Sequence, residues 1–539
     1  MLPQPSLSAT STRVPIEIRR FPWIKRLAVD YALEYARLAD FFAGNPGDPA
    51  AWRDAIARAR RDPRDRHATV EVIDAQQRRR AAPPEAVAAT ARLRDPDAVA
   101  VVTGQQAGLF GGPLFTLLKA LTAVRLAERV SFAHGVPAVA VFWIDAEDHD
   151  WDEVKACGVL DRELNFREVA LGRLPGAGDG PVARIRLDAS IEAVIDALAA
   201  HLAPTEFTPP LLDTIRAAYR PGAGMVDAFA RLLDATLGPR GLIVFDAADP
   251  AAKPLAAPVF AREAAQAGLT PQLAADAAAA LVARGYHAQV TPALDHLALF
   301  HLDGIRTGIP VRDAPAVLDR VQTHPAEFSP NVLLRPVVQD ALFPTICYVA
   351  GPNELAYLAQ LRGIYEAFGV PMPLMYLRAT ATIVDSNTMR FLTRHELPLE
   401  ALRPQDEGAL NQLLEAQMPR PVQAAHEDAV RAVAERMDAL AHAVSQLDAT
   451  LEGAVRSTLG RMQDDLKKLH AKIIQAIKRK DETLRRQFRH AQAQAFPGGH
   501  PQERAVSFVY FLNKYGPGLV ERLGDDLPLD QGTHWVVTI

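Results

Sequence analysis

Cysteine is nearly absent from this chain. Cys157 and Cys347 are the two in 539 residues. They lie far apart in sequence, so neither a disulfide framework nor a CxxC zinc knuckle is available. A GxxxxGK(S/T) segment occurs nowhere, which excludes a P-loop NTPase. The GxGxxG spacing of a dinucleotide fingerprint is missing as well. No apolar run approaches the length of a membrane span. The longest strongly apolar one, Val136 to Ile144, is about half of what a bilayer requires. The first twenty residues, MLPQPSLSATSTRVPIEIRR, lack the apolar stretch of a secretory signal. Basic residues are not in excess. Lys and Arg number 59 against 64 Asp and Glu, a net charge of −5, which excludes a general polyanion binder while leaving room for a local basic groove. Fixed-period repeats are also missing. A soluble, reduced, cytoplasmic protein without nucleic-acid or membrane partners is expected.

The chain is 49% hydrophobic and 23% charged, an ordinary globular balance for three or four units of about 150 residues. Up to about Asp97 the pattern is helical and rich in Arg and Ala. From Ala98 to about Thr382, short apolar runs alternate with helical stretches. From Pro421 to about Phe496 the pattern is continuously helical.

The middle zone is the most informative. Ala98 to Thr103 reads as a strand buried on both faces. GQQAGLFGG follows, then a helix opened by Pro113 with an apolar stripe of Leu114, Leu117, Leu118, Leu121 and Val124. Ala138 to Ile144 is a second buried strand, so strand, helix and strand form a right-handed crossover unit. The same grammar recurs at Leu242–Phe245 and at Thr345–Ala350. After the latter come one helix through Leu355, Leu358, Leu361 and Ile364, and a strand at Pro373–Leu377. These units predict an α/β fold with one doubly wound parallel sheet and helices on both faces. Two segments read as insertions. One carries strand-like pieces at Phe166–Leu171 and Val182–Leu187. The other is a meander of His287–Val290, Leu297–Leu302 and Ile305–Ile309.

In the last zone Val430, Val433, Met437, Leu440, Val444, Leu447 and Leu451 step by three and four, a coiled-coil seam. The phase breaks beside Asp448, Thr450 and Gly453, and the seam resumes at Met462, Leu466, Leu469 and Ile473. Either a stutter in one rod or the turn of an antiparallel hairpin explains the break, and the hairpin is preferred because the tail beyond Phe496 needs a core to pack on. The seam's apolar face predicts a homodimer through Pro421–Phe496.

Ligands of an open α/β sheet bind outside the carboxyl ends of its strands. Thr103, Gly104, Gln105 and Gln106 fall there, as do the run Asp145 to Asp150, Asp246, and Gly351-Pro352-Asn353-Glu354. Gly104, Gly108, Gly111 and Gly112 either let backbone N–H groups approach an anion at a helix N-terminus or serve a turn required only by packing. Glu147, Asp148, His149, Asp150, Asp152 and Glu153 crowd carboxylates around one histidine. They form either a solvated acidic loop or a seat for an ammonium group, sugar hydroxyls or Mg²⁺. One His among carboxylates is a poor zinc set, and His287, His296 and His301 read as isolated structural or surface histidines. Asn331 and Arg335 lie in SPNVLLRP, where Arg335 either pairs with a substrate anion or makes a structural ion pair. Lys119, on a helix, either compensates charge at the site or, the commoner fate and the one expected, faces solvent.

Taken together, VVTGQQAGLFGGPLFTLLKA, VFWIDAEDHDWDEV, SPNVLLRPVVQDALFPTICYVAGPNELAY and FLNKYGPGL resemble the bacillithiol biosynthesis cysteine-adding enzyme family. The resemblance runs in order from about Pro22 to the C-terminus. It implies a Rossmann-like core akin to nucleotidylyltransferases and class I aminoacyl-tRNA synthetases, connecting-peptide insertions, and a C-terminal coiled coil that dimerises. On that frame, residues 1–153 hold the N-terminal helices and the first half of the core. Insertions occupy 154–240 and 281–330, and the core resumes at 241–280 and 331–395. The helical domain is 396–500, and the tail 501–539 packs on the core. The implied reaction joins the carboxyl of L-cysteine to the amine of glucosaminyl malate. ATP or another nucleotide activates the carboxyl, with Mg²⁺. No HIGH or KMSKS segment occurs, which leaves adenylate and acyl phosphate both open. Glu147, Asp148 and His149 are the expected catalytic group, one of them a base for the amine. Thr103, Gly104, Gln105, Gln106, Gly108, Gly112, Asp150, Asp152, Asn331, Arg335, Gly351, Asn353, Glu354, Lys514 and Tyr515 are the expected contacts to substrate and nucleotide. A nicotinamide or nucleotide-sugar enzyme on the same core, or a coiled-coil scaffold with an idle core, are the rival readings.

Overall fold

The computed structural model describes residues 13–403, 408–416, 419–448, 450–480 and 482–539. The secretory-signal reading of the first twelve residues therefore lies outside the described residues. The described residues divide into two compact units, 13–383 with 500–537 and 539, and 384–499 with 538.

The first unit is built on a five-stranded sheet. Its spatial order is Leu374–Leu377, Thr345–Ala350, Val99–Gln105, Ala138–Ile144, Ile243–Asp246. Every neighbouring pair runs parallel, and each strand lies within a residue or two of its sequence-derived bounds. The reason is burial on both faces. Along Ala138–Ile144 the residues alternate between two cores. Ala140, Phe142 and Ile144 join one with helix Leu114–His134, and Val139, Val141 and Trp143 join the other. No position tolerates a polar residue, and a buried side chain such as Phe142 contributes about 1.5–3 kcal/mol. Phe245 links Trp143 and Phe343 at ring separations of 5.3 and 5.2 Å. Helix Leu114–His134 begins after Pro113 and stops at Gly135, whose φ of 63° only glycine adopts at little cost.

Register decides which residues share the sheet's ligand edge. Gln105 lies opposite Ile144, Ile144 opposite Asp246, and Ala350 opposite Leu377. The strands end level, so Gln106, Asp145, Gly351 and Arg378 leave the sheet at one edge.

The insertions are only partly as expected. Phe166–Ala170 pairs antiparallel with Ala156–Leu160. Val182–Leu187 is not a strand. It holds a single 3₁₀ turn, Val182–Arg184, whose N–H groups are spent on the acidic loop: Val182 donates to Asp148 O at 2.8 Å and Ala183 to Ala146 O at 2.9 Å. Ile185 and Leu187 are apolar for core packing alone. His287–Val290 is likewise irregular. The second insertion's sheet is Ile305–Pro310, His296–Asp303 and Phe328–Pro330. The expected single helix after Gly351 is two, Leu355–Leu358 and Arg362–Phe368.

The N-terminal zone, read as helical, contains a strand. Arg13–Glu17 pairs antiparallel with Thr533–Thr538, which also neighbours Thr380–Val384. Beside this small sheet Arg378 meets Glu503 in a buried, two-pronged ion pair at 2.7 and 2.9 Å. His534 is buried next to it, against Phe21, with its Nε2 2.9 Å from Thr382 Oγ1. Burial pushes the His534 imidazole down to about 4, against the pull of Glu503 and with the push of Arg378. The unfolded chain takes that proton near 6.5, whereas the folded chain refuses it until about 4. Stability from this group is complete above pH 6.5 and is lost as pH falls toward 4, about 3 kcal/mol across that window. Thermal melts between pH 7 and 4.5 should show a fall that flattens in His534→Gln. An equal slope in the variant would remove His534 from the account.

The second unit is helical. Arg420–Ser445 and Leu451–Lys480 pack side by side as the antiparallel hairpin, with the rings of His426 and His470, equally far from Asp448, 4.6 Å apart. The turn is tied by Asp448 Oδ1, which accepts from Thr450 N and Oγ1 at 2.8 and 2.7 Å. Half of the seam stays outward: Leu440, Leu447 and Leu469 are 46%, 84% and 50% exposed. Among the described residues no helix is long and apolar enough to cross a membrane.

Candidate active site

Four ionic groupings gather at the carboxyl edge of the parallel sheet. The first is centred on Lys119. Its side chain is 1% exposed, which corrects the expectation that it faces solvent. Leu114 to Val124 is buried almost all round, so the helix has no polar face to offer a lysine. The ammonium instead reaches the strand ends, donating to Gly104 O at 2.6 Å, Gln105 Oε1 at 3.3 Å and Glu354 Oε1 at 2.7 Å. Glu354 Oε2 accepts from Gly351 N at 2.5 Å. Burial pulls the Lys119 ammonium below its ordinary value, and Glu354 opposes this.

The second is Glu147 with Lys253. Both are buried and ion-paired, and Lys253 also donates to Phe328 O at 2.9 Å. Desolvation pushes the Glu147 carboxyl up and Lys253 pulls it back.

The third is centred on Asp148. It accepts from Gln106 Nε2 at 2.6 Å and from the His149 N–H at 2.7 Å, with Arg306 Nη1 at 3.8 Å. Arg306 reaches in from the second insertion. It is fixed by Ser329 Oγ at 3.3 Å, Pro330 O at 2.8 Å and the face of Phe300.

The fourth is Asp145 with Arg335, whose Nε is 3.9 Å from Oδ2. Arg335 is buried. It donates to Gln339 Oε1 at 3.1 Å and Tyr357 OH at 3.4 Å, and stands over the ring of Tyr348. Arg306 and Arg335 thus hold their positive charge against neutral oxygens, with a carboxylate only at the limit of pairing distance. Guanidiniums so placed are suited to a carboxylate or phosphate oxygen.

The remaining expected contacts divide by position. Thr103 is buried and donates to Val349 O at 2.9 Å. A Cβ on Gly104 would meet Trp143 O at 2.8 Å. The glycine-rich turn is engaged within the protein. Tyr219 OH donates to Gly108 O at 3.4 Å and accepts from Gly111 N at 3.3 Å, Phe508 covers Gly111, and Leu114 N donates to Val506 O at 2.8 Å. Gly112, at φ 75°, lies against Gly108. Asp150 caps the short helix Trp151–Val154 through Glu153 N, while Asp152 is exposed on Lys155. His149 is half exposed, 3.4 Å from Asp148. Asn331 Oδ1 caps the following turn through Leu333 N and Leu334 N. Asn353 is exposed. Lys514 stands over the ring of Tyr515, and the adjacent Asn513 is bound to Ala203, Thr205 and Thr208 rather than to the strand edge.

A Rossmann-like sheet domain followed by a helical hairpin, with paired guanidiniums and carboxylates at the strand ends, defines the class. Residues 14–379 match the family model described as Bacillithiol biosynthesis BshC, N-terminal Rossmann-like domain, and residues 381–539 match its C-terminal coiled-coil domain. The chain belongs to the BshC family of bacillithiol biosynthesis. A Salinibacter ruber protein named "Putative cysteine ligase BshC" is 35% identical, covering all of both chains. Proteins of that name from Chlorobaculum tepidum (33% identical, 80% of this chain and 81% of that one) and Koribacter versatilis (31%, 95% and 97%) are also similar.

Proposed function

We propose that the chain joins the carboxyl of L-cysteine to the amine of glucosaminyl malate as an amide, in the cytoplasm, with ATP or another nucleotide activating the carboxyl. The observation that carries the reading is the pair of guanidiniums, Arg335 buried and Arg306 mostly covered, beside the carboxylates Asp145 and Asp148 at the strand ends. Its biological frame comes from ligase-named relatives, one of which spans the whole chain. The donor set suits a nucleotide. Arg306 and Arg335 would hold phosphate or carboxylate oxygens, and the N–H groups of Gly108, Gly111 and Gly112 are engaged within the turn and on Tyr219. A bound nucleotide would supply a good leaving group on the acyl carbon, and Mg²⁺ would accompany it. Among the described residues no group of three or more His, Cys, Asp or Glu is set to hold a metal ion by itself.

This chain's own residues orient and exclude. Lys119 fixes the ends of two strands against each other, Lys253 anchors the acidic loop through Glu147, and Gln106 aims Asp148. Incubation with cysteine, glucosaminyl malate, ATP and Mg²⁺ should yield the thiol amide together with AMP or ADP by mass analysis. Product formed equally without nucleotide would remove the activation step, and no product would remove the ligase reading.

The outward half of the seam supports a homodimer through the hairpin, because a second copy supplies the apolar cover that Leu440, Leu447 and Leu469 lack. Light scattering should give the mass of two chains, and of one chain when Leu440 and Leu447 are both changed to Glu. A dimer that survives both changes would place the interface elsewhere.

A further inference from the structure

The carboxylates of the acidic loop are not equally available. Glu147 is buried on Lys253. Asp148 is committed to Gln106 and to the amides of its own loop, His149 N at 2.7 Å and Asp150 N at 3.4 Å. Glu354 is committed to Lys119 and Gly351 N. Asp145 differs from all three. No described residue donates a hydrogen bond to its carboxylate. The nearest cation, Arg335 Nε, is 3.9 Å away, beyond hydrogen-bond reach. Its side chain keeps 37% of its surface open.

Its position is nevertheless fixed. Asp145 N donates to Gln105 O at 3.0 Å, which continues the strand ladder by one residue, and Ala146 N turns back onto Ile144 O at 2.9 Å. The 3₁₀ turn of the first insertion then holds Ala146 and Asp148 from outside. A carboxylate on a rigid strand end, open on one side and lacking a donor, is a receptor for a donor from outside the protein.

We infer that Asp145, rather than Glu147, Asp148 or His149, receives the ammonium of the acceptor substrate and takes its proton; the inference rests on the ligase reading above. The local field suits the role. Desolvation raises the Asp145 carboxyl above its usual range, Arg335 and Arg306 restrain it, and Asp148 and Glu354 push it further up. A base whose proton affinity is lifted toward the working pH is the more effective one. An ammonium entering here meets the open Asp145 carboxylate, and Asp148 and Glu354 add negative charge to its surroundings.

The step balances simply. One N–H bond of the ammonium breaks, its electron pair stays on nitrogen, and the proton bonds to an Asp145 carboxylate oxygen. The freed lone pair forms the C–N bond to the activated acyl carbon. The bond from that carbon to its leaving group breaks, and the leaving group keeps the electron pair. The second nitrogen proton passes to water.

The test uses the full chain and two ligands, glucosaminyl malate and its N-acetylated form, which has no ammonium. Calorimetry on the wild type should show the amine bound at least tenfold more tightly than the acetylated form. In Asp145→Asn the preference should fall to about twofold or less, while the acetylated form binds as before, which also reports that the variant is folded. Ligation by Asp145→Asn should drop at least about a hundredfold at neutral pH and recover as rising pH supplies neutral amine from solution. Asp145→Glu should retain part of both properties. An Asp145→Asn protein that keeps the amine preference, or that ligates at the wild-type rate, overturns the inference and leaves the ligase reading intact. A wild type that binds neither ligand overturns the substrate reading and the inference with it.

Discussion

Changing Glu503 to alanine is expected to cost the first unit about 3–5 kcal/mol, the usual penalty for leaving one member of a buried ion pair alone. Arg378 is 2% exposed at its side chain, and both of its terminal nitrogens are bound to Glu503. Nothing of comparable charge replaces that carboxylate, and Ala381 N loses an acceptor with it. Arg378 follows the last strand of the sheet and donates through its own N–H to Ala350 O at 2.9 Å, so the damage falls at the ligand edge. A melting midpoint lower by about 5 °C or more should be seen by differential scanning fluorimetry. The double change Arg378→Met with Glu503→Leu should recover most of it, because two apolar side chains remove both buried charges at once. A Glu503→Ala protein that melts with the wild type would mean that water reaches the pair.

The second large effect is on catalysis. Asp148→Asn should lower the ligation rate by about a hundredfold with an unchanged melt. The Asp148 carboxylate takes Gln106 Nε2 on one oxygen and the His149 N–H on the other, and it is the nearest negative charge to Arg306. An amide in its place accepts with one atom only and offers Arg306 no charge. The Asp148 backbone oxygen keeps its bond from Val182 N, so the loop stays folded. His149→Ala should cost about tenfold or less, because that ring is half in solvent, with Asp148 as its ion-pair partner. Steady-state rates for both variants decide the matter, and a rate for Asp148→Asn within threefold of wild type would reduce Asp148 to a structural tie of its own loop.

What the sequence discloses follows from how many constraints each segment carries. Ala138–Ile144 was legible to the residue because both its faces are buried, and alternation gives way to an unbroken apolar run. Arg13–Glu17 was not. It is an edge strand with mostly exposed side chains, and its partner lies at the other end of the chain. Phe328–Pro330 ends in a proline and is three residues long, too short for any period to register. Val182–Leu187 looked like a strand because its apolar residues serve the core while its backbone serves the acidic loop.

The site divides in the same way. The edge position of Asp145 to Asp148 could be read, since it depends only on where a strand stops. Of their counter-charges only Arg335, in SPNVLLRP, could be read; Lys253 and Arg306 come from distant segments that carry no motif. Lys119 did leave a signal. It is the only charged residue between Leu114 and Val124, and a helix that apolar has no wet side for an ammonium.

The strand pairing between Arg13–Glu17 and Thr533–Thr538 sets a clock on biosynthesis. A ribosome adds about 5–20 residues per second. The first strand therefore emerges roughly half a minute to two minutes before its partner exists. Throughout that interval its backbone groups form an open edge to which any passing strand can add. On a crowded messenger the nearest such strand belongs to the neighbouring nascent chain. Orderly maturation thus depends on keeping the first strand sheltered until its partner has been made, and a translational pause anywhere between the two lengthens the exposure by its full duration.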